Sequence, residues 1–355
     1  MKKVSFKKVM LLVLSLVLMF SMVACNNGSG VADGEENTTP PETEEGTVGS
    51  EGKDNLRIAF LSPANQFDFF VYIGASAARD AEAAGVTMDQ MDAARDMSKL
   101  SDLIDHCVAN KYDAIVFASG DKSVVPAVKE ANAAGIPVIN YDFYIEGADY
   151  ASVITSNNKE MGAAAANEMV ADIEANHKDE EVSVIVLNYL QSESNQDRCA
   201  GFKDVISDME NVTILEHDPG PQQGVEEFTR LMEDLLVRYQ KGEVQYVFAS
   251  NGHAALAAYS SILNAGRNEI KVLGIDDEEG QLSALQADDG VYICTIGQDP
   301  YTMGELCFEA AMMAINGESM GDIIVPAKVV TRDNVKDYIA GLADKKEALK
   351  PYMME

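Results

Sequence analysis

The chain has 355 residues, 47% of them hydrophobic and 24% charged, with a formal net charge of −31. That length accommodates two ordinary domains with substantial cores, and the composition fits neither a disordered chain nor a polytopic membrane protein. So acidic a balance argues against a nucleic-acid partner, whose phosphates attract basic surfaces, and disfavours an anionic ligand unless a local basic pocket reverses the sign.

At the start of the chain Lys2, Lys3, Lys7 and Lys8 precede an apolar run from Val9 to Ala24 that ends in small residues. This is the pattern of a secretory signal over residues 1–24, too short and too early for a spanning helix. The junction "MVAC" followed by "NNGSG" resembles a bacterial lipobox, with Met22 where leucine is usual. The resemblance implies a lipid on Cys25 that ties the mature chain to the cell membrane. Residues 25–54 are rich in Gly, Ser, Thr, Pro and Glu and carry too little apolar surface to offset chain entropy, so an acidic, disordered tether is expected.

From Leu56 onward short apolar runs alternate with amphipathic segments. "LRIAFLS" predicts a strand, and "VYIGASAARDAEAAG" a helix that stops at Gly85. In "DMSKLSDLIDHCVANK", Leu100, Leu103, Ile104, Cys107 and Val108 recur at helical spacing. "YDAIVFAS" predicts a strand, "SVVPAVKEANAAG" a helix and "IPVINYD" a strand. The series restarts with strand "VSVIVLNY" and helix "SNQDRCAGFKDVISDM". It continues through "VTILEHD", "EEFTRLMEDLLVRY", "VQYVFAS" and "HAALAAYSSILNAG", and closes on strands "KVLGID" and "VYICTIGQD". Repeated alternation of this kind predicts an α/β protein: two doubly wound parallel-sheet lobes with a ligand cleft at the strand ends between them. Cys107, Cys199, Cys294 and Cys307 form no Cys-x-x-Cys pair and lie in apolar or helical patterns, which predicts buried free thiols.

Catalytic and cofactor signatures are missing. No phosphate loop, nucleophile elbow, zinc-protease helix or dinucleotide fingerprint occurs, and "SGDKS" lacks the spacing of a phosphate loop. His106, His177, His217 and His253 show no metal spacing, although His253 follows a strand end and so either reaches the cleft or begins a helix. "DDEEG" (Asp276–Gly280) does not keep the register of a calcium loop; three of its acids suit the N-terminus of the next helix, while Asp276 ends a strand. No cofactor or metal is expected.

The strand ends are more informative. They carry "NQFDFF", "YDFY", "QSESNQDR", "SNGH", "IDD" and "GQD". Carboxylates, amides, one arginine and several aromatics offer donors and acceptors around flat apolar faces, with no nucleophile beside a base. That chemistry holds a sugar without breaking it. Of the adjacent Phe69 and Phe70, helical geometry leaves one facing the cleft squarely and sends the other towards the core.

The stretches "ANAAGIPVINYD", "QDRCAGF", "VFASNGHAALAAYSSI", "VLGIDD" and "TIGQD" resemble, in order and spacing, the type I periplasmic sugar-binding protein family, over roughly Leu56 to Tyr338. The resemblance implies a non-enzymatic, extracytoplasmic, monomeric receptor that closes on a monosaccharide and delivers it to the transmembrane subunits of an ABC permease. It implies an N-terminal lobe of residues 55–156 plus 299–327 and a C-terminal lobe of 157–298 plus 328–345. Three hinge segments would cross near Ser156–Asn157, Gln298–Asp299 and Ala327. Residue by residue, it implies ligand contacts from Phe69, Phe70, Asp142, Arg198, Asn251, Asp276 and Gln298. Two departures stand out: Phe143 replaces an arginine that often follows the first-lobe acid, and Phe67 replaces an asparagine, leaving Asp68, Gln66 or Asn65 to supply the lost contact. A nucleoside, polyol or furanosyl signal would suit the same fold. A sugar-active enzyme would need a close pair of carboxylates, for which Asp142 and Asp276 are the candidates.

Overall fold

In strand β1 (Arg57–Ser62) Ile58 and Phe60 face one way, Ala59 and Leu61 the other, and all four are fully buried. A strand buried on both faces needs helices on both faces. The computed structural model describes residues 55–222 and 224–354. The expected signal segment, the lipidation at Cys25 and the tether lie outside the described residues.

After β1 come α1 (Asp68–Ala83), β2 (Thr87–Asp92), α2 (Met97–Ala109), β3 (Ala114–Phe117), α3 (Val125–Ala133), β4 (Val138–Tyr141) and β5 (Ser152–Ser156). The next run is α4 (Asn158–Asn176), β6 (Val182–Leu187), α5 (Glu193–Ile206), β7 (Val212–His217), α6 (Val225–Arg238), β8 (Tyr246–Ala249), α7 (Gly252–Asn264), β9 (Lys271–Ile275), α8 (Glu279–Gln286) and β10 (Tyr292–Gly297). The chain ends with α9 (Pro300–Ile315), β11 (Ile323–Val325), β12 (Lys328–Thr331) and α10 (Val335–Leu349).

Two six-stranded sheets result, ordered β11-β5-β4-β3-β1-β2 in the first lobe and β12-β10-β9-β8-β6-β7 in the second. Every pairing of the first sheet is parallel. In the second, β12 runs antiparallel to β10. The reason is directional. Strand carboxyl ends point at the junction of the lobes, so a strand that arrives from the other lobe enters at that junction and runs away from it.

Each sheet carries an apolar core on both faces. In the first lobe Phe60, Ile139 and Tyr141 pack with residues of α1 and α9, while Leu61, Phe117 and Val138 pack with residues of α2 and α3. In the second, Val184, Phe248 and Ile275 meet α4 and α5, and Leu187, Val247 and Val272 meet α6, α7 and α8. Cys107, Cys199, Cys294 and Cys307 are all buried and free, and burial pushes the Cys107 and Cys199 thiols up to about 12. Among the described residues no helix is long and apolar enough to cross a membrane.

Several elements differ from the sequence reading. Strand β2 has only Met88 and Met91 as apolar residues because it lies at a sheet edge with one partner, and so carries little periodic signal. Helix α4 is masked by its run of alanines, and α1 begins at Asp68, so that Phe69 and Phe70 fall in its first turn. The chain also makes one more passage between the lobes than the three expected. Helix α10 packs on α8 and β12, with the Tyr338 hydroxyl donating to Asp277; the following turn, Lys350–Tyr352, packs on α1. There Leu349 is fully buried with Ala75 and Tyr301, and Gln90 Nε2 donates to the Tyr352 carbonyl at 2.8 Å.

Helices α4 and α5 approach so closely that two glycines are required. A Cβ on Gly162 would stand 1.8 Å from the Arg198 carbonyl oxygen, and one on Gly201 2.0 Å from that of Lys159. Backbone does not yield as a side-chain tip does. Gly201→Ala is therefore expected to lower unfolding free energy by about 1–3 kcal/mol or more, seen as a lower urea midpoint. An unchanged midpoint would show that the two helices separate freely.

Candidate functional site

Residues that follow β1, β2, β4, β6, β8, β9 and β10 converge on one cavity of about 220 Å³ between the lobes. Phe67, Phe69, Phe70, Arg95, Asp142 and Phe143 line it from the first lobe; Arg198, Asn251, His253, Asp276 and Glu278 line it from the second, with Gln298 just before the passage into α9. Of the nine ligand residues named from the sequence, eight are brought together here. Asp68 is not: it is exposed at the start of α1 and borders a small neighbouring cavity with Tyr72 and Asp277.

The two acids are held in matching, uncommon conformations. Asp142 has φ 64° and Asp276 φ 76°, in the left-handed region that side chains with a Cβ seldom occupy. Each is locked by its neighbouring strand: Asp142 N–H donates to the Ile154 carbonyl at 2.8 Å, and Asp276 N–H to that of Ile296 at 2.9 Å. Thr295 Oγ1 further donates to the Asp276 carbonyl at 2.5 Å. The turn re-aims each carboxylate at the end of its strand, and strain of this kind collects at functional sites.

Arg198 is 6% exposed and comes from the middle of α5. Its Nε donates to Asn158 Oδ1 at 2.8 Å and its Nη1 to the Ser250 carbonyl at 3.1 Å, with Asp276 Oδ1 at 3.9 Å. Asn251 caps α7, accepting from Ala254 N–H at 3.0 Å, and its Nδ2 donates to Asn195 Oδ1 at 2.8 Å. Asp276 accepts from Gly252 N–H at 2.9 Å and from Gln298 Nε2 at 3.0 Å. The Oε1 of Gln298, a residue only 5% exposed, has no partner. A buried acceptor left in that state costs free energy that a donor hydroxyl would recover.

Aromatic rings form the rest of the wall. Phe69 and Phe70 both line the cavity, and both also pack on the first-lobe core, so the expected division of labour between them does not occur. Their rings meet edge to face at 5.2 Å, and Phe70 meets Tyr141 at 6.3 Å. Phe67 reaches across the lobes to the His253 ring at 5.6 Å. Phe143 lies over Gly120, where a Cβ would stand 3.2 Å from the ring.

Burial pushes the Asp142 carboxyl up to about 6; Arg198 pulls against that, and Asp276 adds to it. Burial also raises Asp277 to about 7, opposed by the hydrogen bond from Tyr338, and raises Glu278 to about 7 with help from Asp276, Asp68 and Asp277. Burial lowers the His253 pKa, opposed by Asp276 and helped by Arg95. Among the described residues no group of three or more His, Cys, Asp or Glu is arranged to hold a metal. The cavity holds acceptors, the hydroxyls of Ser192 and Ser194, two guanidinium groups and ring faces.

Sequence reasoning missed Arg95, Asn195 and Glu278, while His253 does both things weighed for it, lining the cavity from the first turn of α7. Arg95 follows the unrecognised β2 at φ 63° and stands 5.9 Å from the Phe67 ring centroid, supplying from another strand a cation where Phe143 offers none. The signal that would have found it is the "DAARD" turn that separates β2 from α2. Asn195 was legible as part of "QSESNQDR", one turn ahead of Arg198.

A family model described as "Periplasmic binding protein domain" matches residues 58–319. The ribose import binding protein of Bacillus subtilis (strain 168) is 28% identical over 268 residues, covering 74% of this chain and 83% of the relative. An ABC transporter solute binding protein from Bacillus halodurans C-125, solved with bound myo-inositol, superposes with TM-score 0.71 at 26% identity, covering 81% of this chain and 99% of that one. One from Agrobacterium vitis, solved with bound allitol, gives TM-score 0.72 at 23% identity, covering 81% and 99%, a likeness of fold.

A carboxyl whose pKa is higher folded than unfolded contributes stability that is complete below its unfolded value and lost as pH rises through the folded one. For Asp142 that window runs from the ordinary 3.8 to about 6. Asp142→Asn should thus stabilise the unliganded protein relative to the parent at about pH 7.5, with the gain vanishing near about pH 4. Urea titrations at the two pH values check this; an equal difference at both would show that the carboxyl is not buried in charged form.

Proposed function

Because this chain belongs to the periplasmic binding protein domain family, we propose that it is the solute receptor of an ABC importer, binding an uncharged monosaccharide between its lobes. The observation that carries this reading is the polar set of the cavity. Asp142 comes from one lobe, Arg198 and Asp276 from the other, and the buried Gln298 Oε1 between them lacks a donor. A sugar presents many hydroxyl donors and acceptors on a ring with an apolar face, and Phe69 and Phe70 offer the matching surface.

Micromolar binding needs about −8 kcal/mol. A few charge-assisted hydrogen bonds of roughly 1.5–3 kcal/mol each, with ring stacking, supply that. Only the closed arrangement completes the set, so ligand favours closure. The pivots would be the passages near Ser156–Asn157, Gln298–Asp299 and Ala327, separating lobes of 55–156 plus 299–327 and 157–298 plus 328–345. The receptor acts as an extracytoplasmic monomer tethered by a lipid on Cys25, and hands its ligand to the permease. It binds its ligand without turnover. The import function printed for the Bacillus subtilis relative supports this reading, as does the solute bound by the Bacillus halodurans protein. A polyol is the second reading, favoured by Phe67 and Phe143 standing where the family often has polar donors.

Thermal-shift screening against pentoses, hexoses, polyols and nucleosides tests the proposal. A ligand at about a hundred times its dissociation constant should stabilise the protein by about 2.7 kcal/mol. Asp142→Ala and Arg198→Ala should each remove that shift while leaving a cooperative unfolding transition. Full retention in both variants would move the site elsewhere.

A further inference from the structure

A neighbouring cavity of about 240 Å³ shares Phe67, Phe70, Arg95 and Phe143 with the sugar cavity, and two further neighbours differ greatly in size. One shares Phe69, Asp276 and Glu278 with it and encloses only about 30 Å³, bounded by Tyr72, Tyr301 and Lys346. That side is stopped by the C-terminal segment: Lys346 Nζ stands 5.4 Å from the Tyr72 ring centroid and Lys345 Nζ 5.4 Å from that of Tyr301. The other neighbour shares Arg95, Asp142, Phe143, Ser192 and Ser194 with the cavity and encloses about 1030 Å³. The two neighbours have no lining residue in common. The cavity of about 240 Å³ shares Arg95, Met97, Gly120, Asp121 and Phe143 with the larger groove, so both open on one flank, and a ligand larger than one ring extends to that flank.

The larger groove carries features of a binding surface. Tyr144, the residue after Phe143, is 62% exposed and lines it, presenting a large aromatic face to solvent beside the sugar cavity. Ser156, at the end of β5, is 6% exposed and also lines it, and its Oγ has no hydrogen-bond partner. A buried hydroxyl without a partner is uncommon, and a ligand polar atom would satisfy it. The charge of the groove limits the ligand. Asp121, Asp142, Glu193 and Asp197 border it against Arg95 and Lys122, the latter 3.5 Å from Glu146, so carboxylates outnumber cations and disfavour an anionic substituent.

We infer that the ligand is an uncharged glycoside, its sugar ring in the cavity between Asp142 and Asp276 and its second ring in the groove, stacked on Tyr144 and hydrogen-bonded to Ser156 Oγ. The inference rests on the sugar-binding reading and extends it from a monosaccharide to a sugar carrying a neutral ring, from either a second sugar or a nucleobase.

Isothermal titration calorimetry with the full folded chain separates the possibilities. The probes are D-ribose, D-xylose, D-galactose and D-glucose, set against adenosine, uridine, xylobiose, lactose and cellobiose. At least one glycoside should bind about tenfold more tightly than the free sugar it contains. Tyr144→Ala should erode that margin while holding the dissociation constant of the free sugar within about twofold. A nucleoside or a disaccharide as the tight binder identifies the second ring. Free sugars that bind while every glycoside binds more weakly overturn the groove and leave the sugar site standing. Equal loss for glycoside and free sugar in Tyr144→Ala also overturns it. Absence of binding by all nine probes sinks the sugar-binding reading together with this one.

Discussion

One buried cation organises the lobe junction. The Arg198 guanidinium is fixed by Asn158 and the Ser250 carbonyl, and it is the group that opposes the rise of the Asp142 pKa. Its place is set far from its charge, by the glycines that let α4 and α5 touch. The guanidinium offsets part of the cost of burying the carboxylates around it, and at Asp142 burial still outweighs that offset. With Asp142, Asp276 and Glu278 all lining the same cavity, carboxylates outnumber the buried cation. The excess of acceptors is what a polyhydroxylated ligand would balance.

The two lobes solve the same problem in the same way. Asp142 follows β4 and bonds back to β5; Asp276 follows β9 and bonds back to β10, each in a left-handed turn. Both turns spend conformational free energy to point a carboxylate into the cavity instead of along its strand. Tertiary hydrogen bonds hold the geometry, since neither aspartate would choose it alone.

Around this polar centre the walls are unequal. The aromatic series from Phe60 through Tyr141 to Phe70 and Phe69 connects the first-lobe core to the cavity without a break. On one flank, the last turns of α10 fill the space beside Tyr72 and Tyr301; on the other, the groove beside Tyr144 stays open. Shape at this junction is thus directional, and it comes from a C-terminal segment that lies beyond the region matched by the family model.

The sequence by itself determined the two-lobed α/β architecture and most of the cavity. Buried parallel strands such as "RIAFLS" and "YVFA" are apolar on both faces, and polar residues stand at the strand ends where "YDFY", "SNGH" and "IDD" announce them. It failed where local signal was weak or long-range contact decided the outcome. Edge strand β2 has one neighbour and little apolar content, so Arg95 went unseen; Asp68 was grouped with Phe69 and Phe70 although the turn of α1 carries it to another cavity. The fourth passage between lobes, the left-handed aspartates and the open groove belong to tertiary structure alone. Each depends on which distant segments come into contact, and local periodicity carries no record of that.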